Sequence, residues 1–453
     1  MTNGMRRTAR PGGGAIVVAV AVAAGAALGI AGVAPAAAEA DGHSHTPAMY
    51  VTFHGEASSD TGSTAGSAAN NISSYDASGH LVSQSVLATG KHDPVLAELR
   101  GMLLTADGGL AVANATKSDS AILGYQAPDA SGARHPAPPT GVFAPGAPTN
   151  PGIDHPYGLA AAPDGGLFVS SQDTAVVTAL DGSGAPTPSA GASSWWAEQY
   201  PDVDFDSGTL VPSVSDVPAE SGGLVAPRAL VTAPSGAGAG TTLYVADNTA
   251  QLVRSYDATT GRFLGDVLSP AVGGIGNPVG LIVHDGILYV TSEGTDDVVS
   301  FDLSSGSTSE VVPREFGKAK LDHPSGLGFG TDGRLYVASR AGQKIIAYTL
   351  DDTNTKAEKA EVFVDGLPDQ PEQLLLVDGT DDGAEPPLPA APPSPTATSP
   401  APSLPADPRP SSGDQELAAT GLGPASLAGA GLALAALLAG LAVVARRNRT
   451  RSG

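Results

Sequence analysis

Residues 323–350 read HPSGLGFGTDGRLYVASRAGQKIIAYTL. Gly326 to Gly330 is small and apolar, which suits a strand packed at a crowded axis. Thr331-Asp332-Gly333 predicts a tight turn, because Asp-Gly accepts the positive φ that a hairpin needs. Arg334 to Ser339 predicts a strand centred on Leu335-Tyr336-Val337. After Ala341-Gly342, Lys344 to Leu350 alternates around Ile346 and Tyr348 and predicts a third.

The unit recurs. Copies begin at Leu99, His155, Pro227 and Asn277, the one at Pro227 with a longer turn and the one at Leu99 with a weaker pattern. Aligning Gly101, Gly158, Ala229, Gly280 and Gly326 gives spacings of 57, 71, 51 and 46 residues. A fourth segment follows the three strands, as at Phe263 to Leu268 and Glu361 to Val364. Each unit is therefore expected to be a four-stranded blade with insertions. A sixth blade is split between the ends of the repeat region. Pro371 to Val377 reads as an inner strand with nothing after it. Met49 to Phe53 and Ile72 to Asp76 read as its two middle strands, and Leu81 to Leu87 as its outer one. Pairing the first strand with the last closes the ring and removes free sheet ends.

With its Pro-x-Gly-Leu, Asp-Gly and Leu-Tyr-Val pattern, the chain resembles the NHL-like group of six-bladed β-propellers over about residues 48–380. The resemblance implies an all-β fold and says little of activity, since such propellers host many. One large domain is expected, not the two or three that 453 residues would allow. The net charge of −23 argues against nucleic acid and anionic membranes as partners. With no cysteine, there is neither a disulfide framework nor thiol catalysis.

The flanks read as export and anchoring signals. In residues 1–38, Arg6, Arg7 and Arg10 precede an apolar stretch from Ala15 to Ala34 and the small residues Ala36-Ala37-Ala38, as in a signal peptide. Whether export is Sec or twin-arginine is left open. Residues 39–47 form a linker holding His43 and His45. Residues 381–413, rich in Pro, Ala and Ser, read as an extended spacer. Residues 414–453 hold Leu417-Ala418-Ala419-Thr420-Gly421, an apolar span at 422–445 long enough to cross a bilayer, and an arginine-rich tail at 446–453. This order resembles a sortase sorting signal of the Leu-Ala-x-Thr-Gly type. The resemblance implies cleavage between Thr420 and Gly421, with sortase and peptidoglycan as partners. It also implies a secreted, cell-wall-anchored protein that meets the membrane only through its C-terminal helix before processing.

Two insertions stand out. Gly55 to Asn70 is a Gly/Ser-rich loop. Ala185 to Gly223 holds Trp195, Trp196 and Asp202-Val203-Asp204-Phe205-Asp206. The alternate aspartates read either as a calcium loop or as an acidic edge strand. The tryptophans read either as a sugar platform or as blade packing.

Loops that enter the inner strands and leave the second strands share one mouth. Flanking the proline position there are Glu98, His155, Ala226, Asn277, His323 and Gln370, then Arg100, Tyr157, Arg228, Val279, Ser325 and Glu372. Leaving the second strands are Asn114, Ser171, Asp247, Ser292, Ser339 and Phe53, followed by Ala115, Gln172, Asn248, Glu293, Arg340 and His54. The expected ligand-binding residues are Arg100, Tyr157, Arg228, Ser325, Glu372, Asn114 and Asp247. His155 and His323, each in the context Asp-His-Pro-x-Gly-Leu, read either as ligands of zinc or another transition metal or as turn residues bonded to their own loops, while calcium is the cation considered for the aspartates at 202–206. Histidines before a blade's proline resemble the ligands of NHL-like lyases. Glu372, Asn114 and Asp247 resemble the metal set of gluconolactonase-like enzymes, although that family's Glu-Gly-Pro opening is absent. Two functions remain open. One is a surface-displayed binding or scaffold module for an unknown extracellular ligand, favoured because no complete catalytic set is visible. The other is a metal-dependent hydrolase or lyase.

Overall fold

The computed structural model describes residues 46–377, except 56–67, 92, 117–118, 188–191, 236–239 and 319. The signal peptide, the spacer and the sorting signal lie outside the described residues, as does most of the Gly55–Asn70 loop. Among the described residues, no helix is long and apolar enough to cross a membrane.

Six four-stranded antiparallel sheets make up the domain. The inner, second, third and outer strands of blade one are Leu99–Leu104, Leu110–Asn114, Ala121–Tyr125 and Val142–Pro145. Blades two to five start with inner strands Pro156–Ala161, Pro227–Pro234, Pro278–His284 and Pro324–Phe329. Blade six joins the two ends: Pro371–Leu376 is inner, and Met49–Phe53, Ser73–Tyr75 and Leu81–Ser83 follow. Its register pairs Met49 with Leu376, Tyr50 with Leu375 and Val51 with Leu374. Each inner strand packs against the inner strands of the blades on either side, and the series returns to its start. The fold is a closed six-bladed β-propeller.

This architecture has no single core. Side chains alternate across a strand, so each blade offers an apolar face to both neighbours. The buried side chains form six clusters, one at each blade–blade junction. At the junction of blades five and six, Val51, Phe53 and Leu374 meet Tyr336 and Ile345. The repeated glycine sits where neighbouring inner strands touch. A Cβ on Gly101 would lie 2.6 Å from the Tyr157 carbonyl oxygen, and one on Gly158 would lie 2.6 Å from that of Arg228.

Each inner strand slips register just after its first residue, as between Pro156 and Leu159. In alternate blades a hydroxyl from the second strand fills the gap. Thr291 Oγ1 accepts from the Gly280 N–H (2.8 Å) and donates to the Ser325 carbonyl of blade five (2.6 Å). Ser170 Oγ accepts from Gly158 N–H (2.8 Å) and donates to Arg228 of blade three. Thr52 Oγ1 accepts from Gln373 N–H (3.1 Å) and donates to Arg100 of blade one (2.9 Å). Blades one, three and five have Ala113, Ala246 and Ala338 at this position.

Some boundaries differ from the sequence expectation. The outer strand of blade six covers only Leu81–Ser83, not 81–87. Asn71 draws the following segment inward, its Oδ1 taking the Leu87 N–H and its Nδ2 donating to the Leu87 carbonyl, both at 2.9 Å. Val86 and Leu87 thus fill the junction with blade one. In blade two the edge strand is Thr209–Val211, and Asp202 to Asp206 form no strand.

Candidate functional site

One hydrogen bond, made six times, frames the mouth. The N–H groups of Ala115, Gln172, Asn248, Glu293, Arg340 and His54 donate to the carbonyls of Glu98, His155, Ala226, Asn277, His323 and Gln370, in that order. These are the pairs aligned by the sequence repeat, including the pair in the split blade. Glu98, His155, Asn277 and His323 hold φ of 52, 52, 53 and 52°. That left-handed conformation is uncommon outside glycine and turns the chain sharply into the inner strand.

The last residue of the second strand holds its own blade's loop. Asn114 Oδ1 accepts from Ala97 N–H (3.1 Å), and its Nδ2 donates to the Val95 carbonyl (3.1 Å). The Asp247 oxygens accept from Ala226 N–H (2.9 Å) and Val225 N–H (3.0 Å). Ser292 and Ser339 do the same for Gly276 and Asp322. Asn114 and Asp247 are buried, with their polar atoms turned to the loop backbone. Burial raises the Asp247 pKa, against the opposing pull of the Ala226 and Val225 N–H groups and of Arg254.

The residue after the proline position is the second of the inner strand in every blade, so the six positions form a ring around the axis. Arg100, Tyr157, Arg228, Val279, Ser325 and Glu372 stand in this ring. Glu372, 2% exposed, is the hub. Tyr157 of blade two donates to its Oε2 at 2.8 Å. His54 Nδ1 lies 2.9 Å from its Oε1, and Arg340 of blade five donates to that oxygen at 3.4 Å. Burial alone would push the Glu372 pKa up. His54, Arg100, Arg340 and Tyr157 outweigh burial and hold it at about 2. Arg340 also pairs with Glu293 of blade four. Arg100 donates to the His54 carbonyl (2.9 Å) and pairs with Glu98 (3.4 Å). The Arg228 guanidinium of blade three lies over the Tyr157 ring, 5.0 Å from its centroid. Ser325 Oγ is engaged with the Pro371 carbonyl (2.7 Å). His54, Glu293 and Arg340 were on the mouth in the sequence reading, but not among its ligand residues. Their signal was position in the repeat.

The two histidines sit in separate surroundings. His155 has Glu98 and Asp173 each at 3.8 Å, and its side chain is largely buried. His323 is half exposed, with Nδ1 2.8 Å from Asp322 Oδ1. Asp296, Asp322 and His323 each bring a ligand atom within 4.8 Å of the others, and no other such trio of His, Asp or Glu occurs among the described residues. Asp296 Oδ1 also accepts the His323 N–H (2.8 Å), and Asp296 faces Arg314 at 3.4 Å. Trp196 is fully buried in a short helix, Ala192–Gln199, and donates to the Leu210 carbonyl (3.0 Å). It packs the blade edge, with Trp195 edge-on against it.

No family model matches the chain, and no curated protein matches it. Among solved structures, the chain is similar to a chain of a nidogen/laminin complex at 13% identity and a TM-score of 0.43, covering 72% of this chain and 97% of that one. It is similar to a streptogramin B lyase at 13% identity and a TM-score of 0.40, covering 67% and 79%. The strand order itself defines the class, that of six-bladed β-propellers.

Proposed function

We propose that the protein is a secreted propeller displayed on the cell wall, where its axial mouth binds an extracellular ligand. The observation that carries the binding role is the axial ring. One strand position repeats in six blades of common frame, yet it holds Arg100, Tyr157, Arg228, Val279, Ser325 and Glu372. The side chains around it are held by fixed hydrogen bonds and ion pairs. A face held this way needs little ordering when it binds, which lowers the entropic cost of association. The reading of the wall anchor rests on the ordered signals at the two ends of the sequence: an N-terminal signal peptide, the spacer at 381–413, Leu417 to Gly421, the apolar span and the basic tail.

The test of display is cell fractionation of the full chain and of Thr420→Ala. The parent is expected in the wall fraction, resistant to detergent and released by a peptidoglycan hydrolase. Thr420→Ala is expected in the membrane or the medium. If the variant stays in the wall fraction after detergent extraction, covalent attachment through Thr420 is wrong.

A further inference from the structure

We propose that the mouth receives a carboxylate, and that the Arg228 guanidinium is its anchor. This rests on the reading of the mouth as a binding face. Five of the six axial side chains are sealed: Arg100, Tyr157, Val279, Ser325 and Glu372 belong to residues no more than 5% exposed. Arg228 is partly exposed. It is the axial group that a molecule entering from solvent can reach.

Arg228 also differs from the other two arginines of the mouth. Arg100 is paired with Glu98, and Arg340 bridges Glu293 and Glu372. No carboxylate among the described residues lies within 4 Å of the Arg228 guanidinium, and its Nε is buried without a hydrogen-bond partner. A buried donor left unmatched costs stability, and a bidentate carboxylate supplies two parallel acceptors for such a fork. The orientation is already set. The guanidinium lies on Tyr157, and Tyr157 is fixed in turn by its bond to Glu372. The cation–π contact, with a hydrogen bond between the two side chains, holds the guanidinium in place beside Tyr157.

Charge around the mouth selects among anions. Glu98, Asp173, Glu293, Asp296 and Asp322 stand in its loops, and the chain as a whole carries −23. A multiply charged phosphate meets more repulsion there than a single carboxylate does. The ligand class is therefore a small molecule with one carboxylate and no other negative charge.

The test is calorimetric titration of the full chain with acetate, lactate, alanine and inorganic phosphate, alongside Arg228→Gln, Arg228→Lys and Glu372→Gln. A melting curve for each variant checks its fold. At least one carboxylate is expected to bind, more tightly than phosphate. Arg228→Gln is expected to weaken it by about tenfold or more, and Arg228→Lys by less, since lysine keeps the charge and loses the fork. Carboxylate binding that survives Arg228→Gln but fails in Glu372→Gln overturns the anchor and leaves the mouth as the site. Binding indifferent to all three substitutions removes the mouth as well. Preference for phosphate, or no response to any carboxylate, overturns the ligand class.

Discussion

Glu372→Gln should weaken the domain in a way that depends on pH. In the folded protein the carboxyl titrates at about 2, against an ordinary value of 4.5. That depression corresponds to ~3 kcal/mol of stability present above the ordinary value. The sign follows from proton uptake. Between the two values the unfolded chain holds more protons, so this stability is lost as pH falls through the folded value. Glutamine mimics the neutral carboxyl in size and cannot titrate. The parent should exceed the variant by ~3 kcal/mol near neutrality and by only ~2 kcal/mol at about pH 3.5. Urea denaturation of both proteins across that range measures the gap, and carboxylates elsewhere cancel in the difference. A constant gap would show that the loss comes from packing and not from charge. No gap at all would mean that His54, Arg100 and Arg340 do not stabilise the ionised form.

Two further outcomes follow from the same structure. Asp297 is nearly buried (8% exposed), and burial lifts its carboxyl to about 6, with Thr295 pulling the other way. Its charge therefore costs stability as pH rises through that value, so Asp297→Asn should stabilise by ~3 kcal/mol at neutral pH and by almost nothing below about pH 4; a variant that melts like the parent at neutral pH refutes this. Deleting residues 48–95 removes three strands of blade six and exposes its junctions, which bury Met49, Val51 and Phe53. At ~2 kcal/mol for each such side chain, the loss rivals the whole net stability of a domain, so parent-like cooperative melting would contradict ring closure.

The inner parts of the blades were legible because both their faces are buried. The unit quoted at 323–350 folds as Pro324–Phe329, Leu335–Ser339 and Lys344–Leu350, close to the sequence reading. Outer strands carry a weaker signal. In Phe263–Leu268 exposed positions alternate with half-buried ones, so few have to be apolar, whereas the buried outer strand of blade two, Thr209–Val211, is only three residues long. That strand was hidden inside the Ala185–Gly223 insertion, where the acidic run at 202–206 gave the more obvious pattern. The mouth was legible as a set of positions, not as a set of roles. Nothing in the residue types of Asn114 and Asp247 distinguishes a ligand from a loop clamp. The Tyr157–Glu372 bond joins side chains 215 residues apart across the axis, and no local pattern encodes such a reach.

The axial network raises an energetic question. Buried ion pairs are weak evidence for stability, because desolvation offsets much of their attraction. Their value here lies in where the hub comes from. Glu372 stands on Pro371–Leu376, the last strand in the chain and the one that pairs with the first. Its partners come from blade two (Tyr157), blade five (Arg340) and blade six itself (His54). An open ring leaves Arg340 with Glu293 alone and frees Tyr157 from its acceptor. A ring closed in another register moves Glu372 away from the axis, since a one-residue slip turns every side chain to the opposite face. Closure in the native register therefore assembles the mouth, and the charges penalise the alternatives. The six apolar junctions hold adjacent blades together, whereas the Tyr157–Glu372 bond joins blades two and six, which are not neighbours. Any ligand of the mouth would then be linked to ring closure, and its binding would raise the stability of the closed domain by mass action.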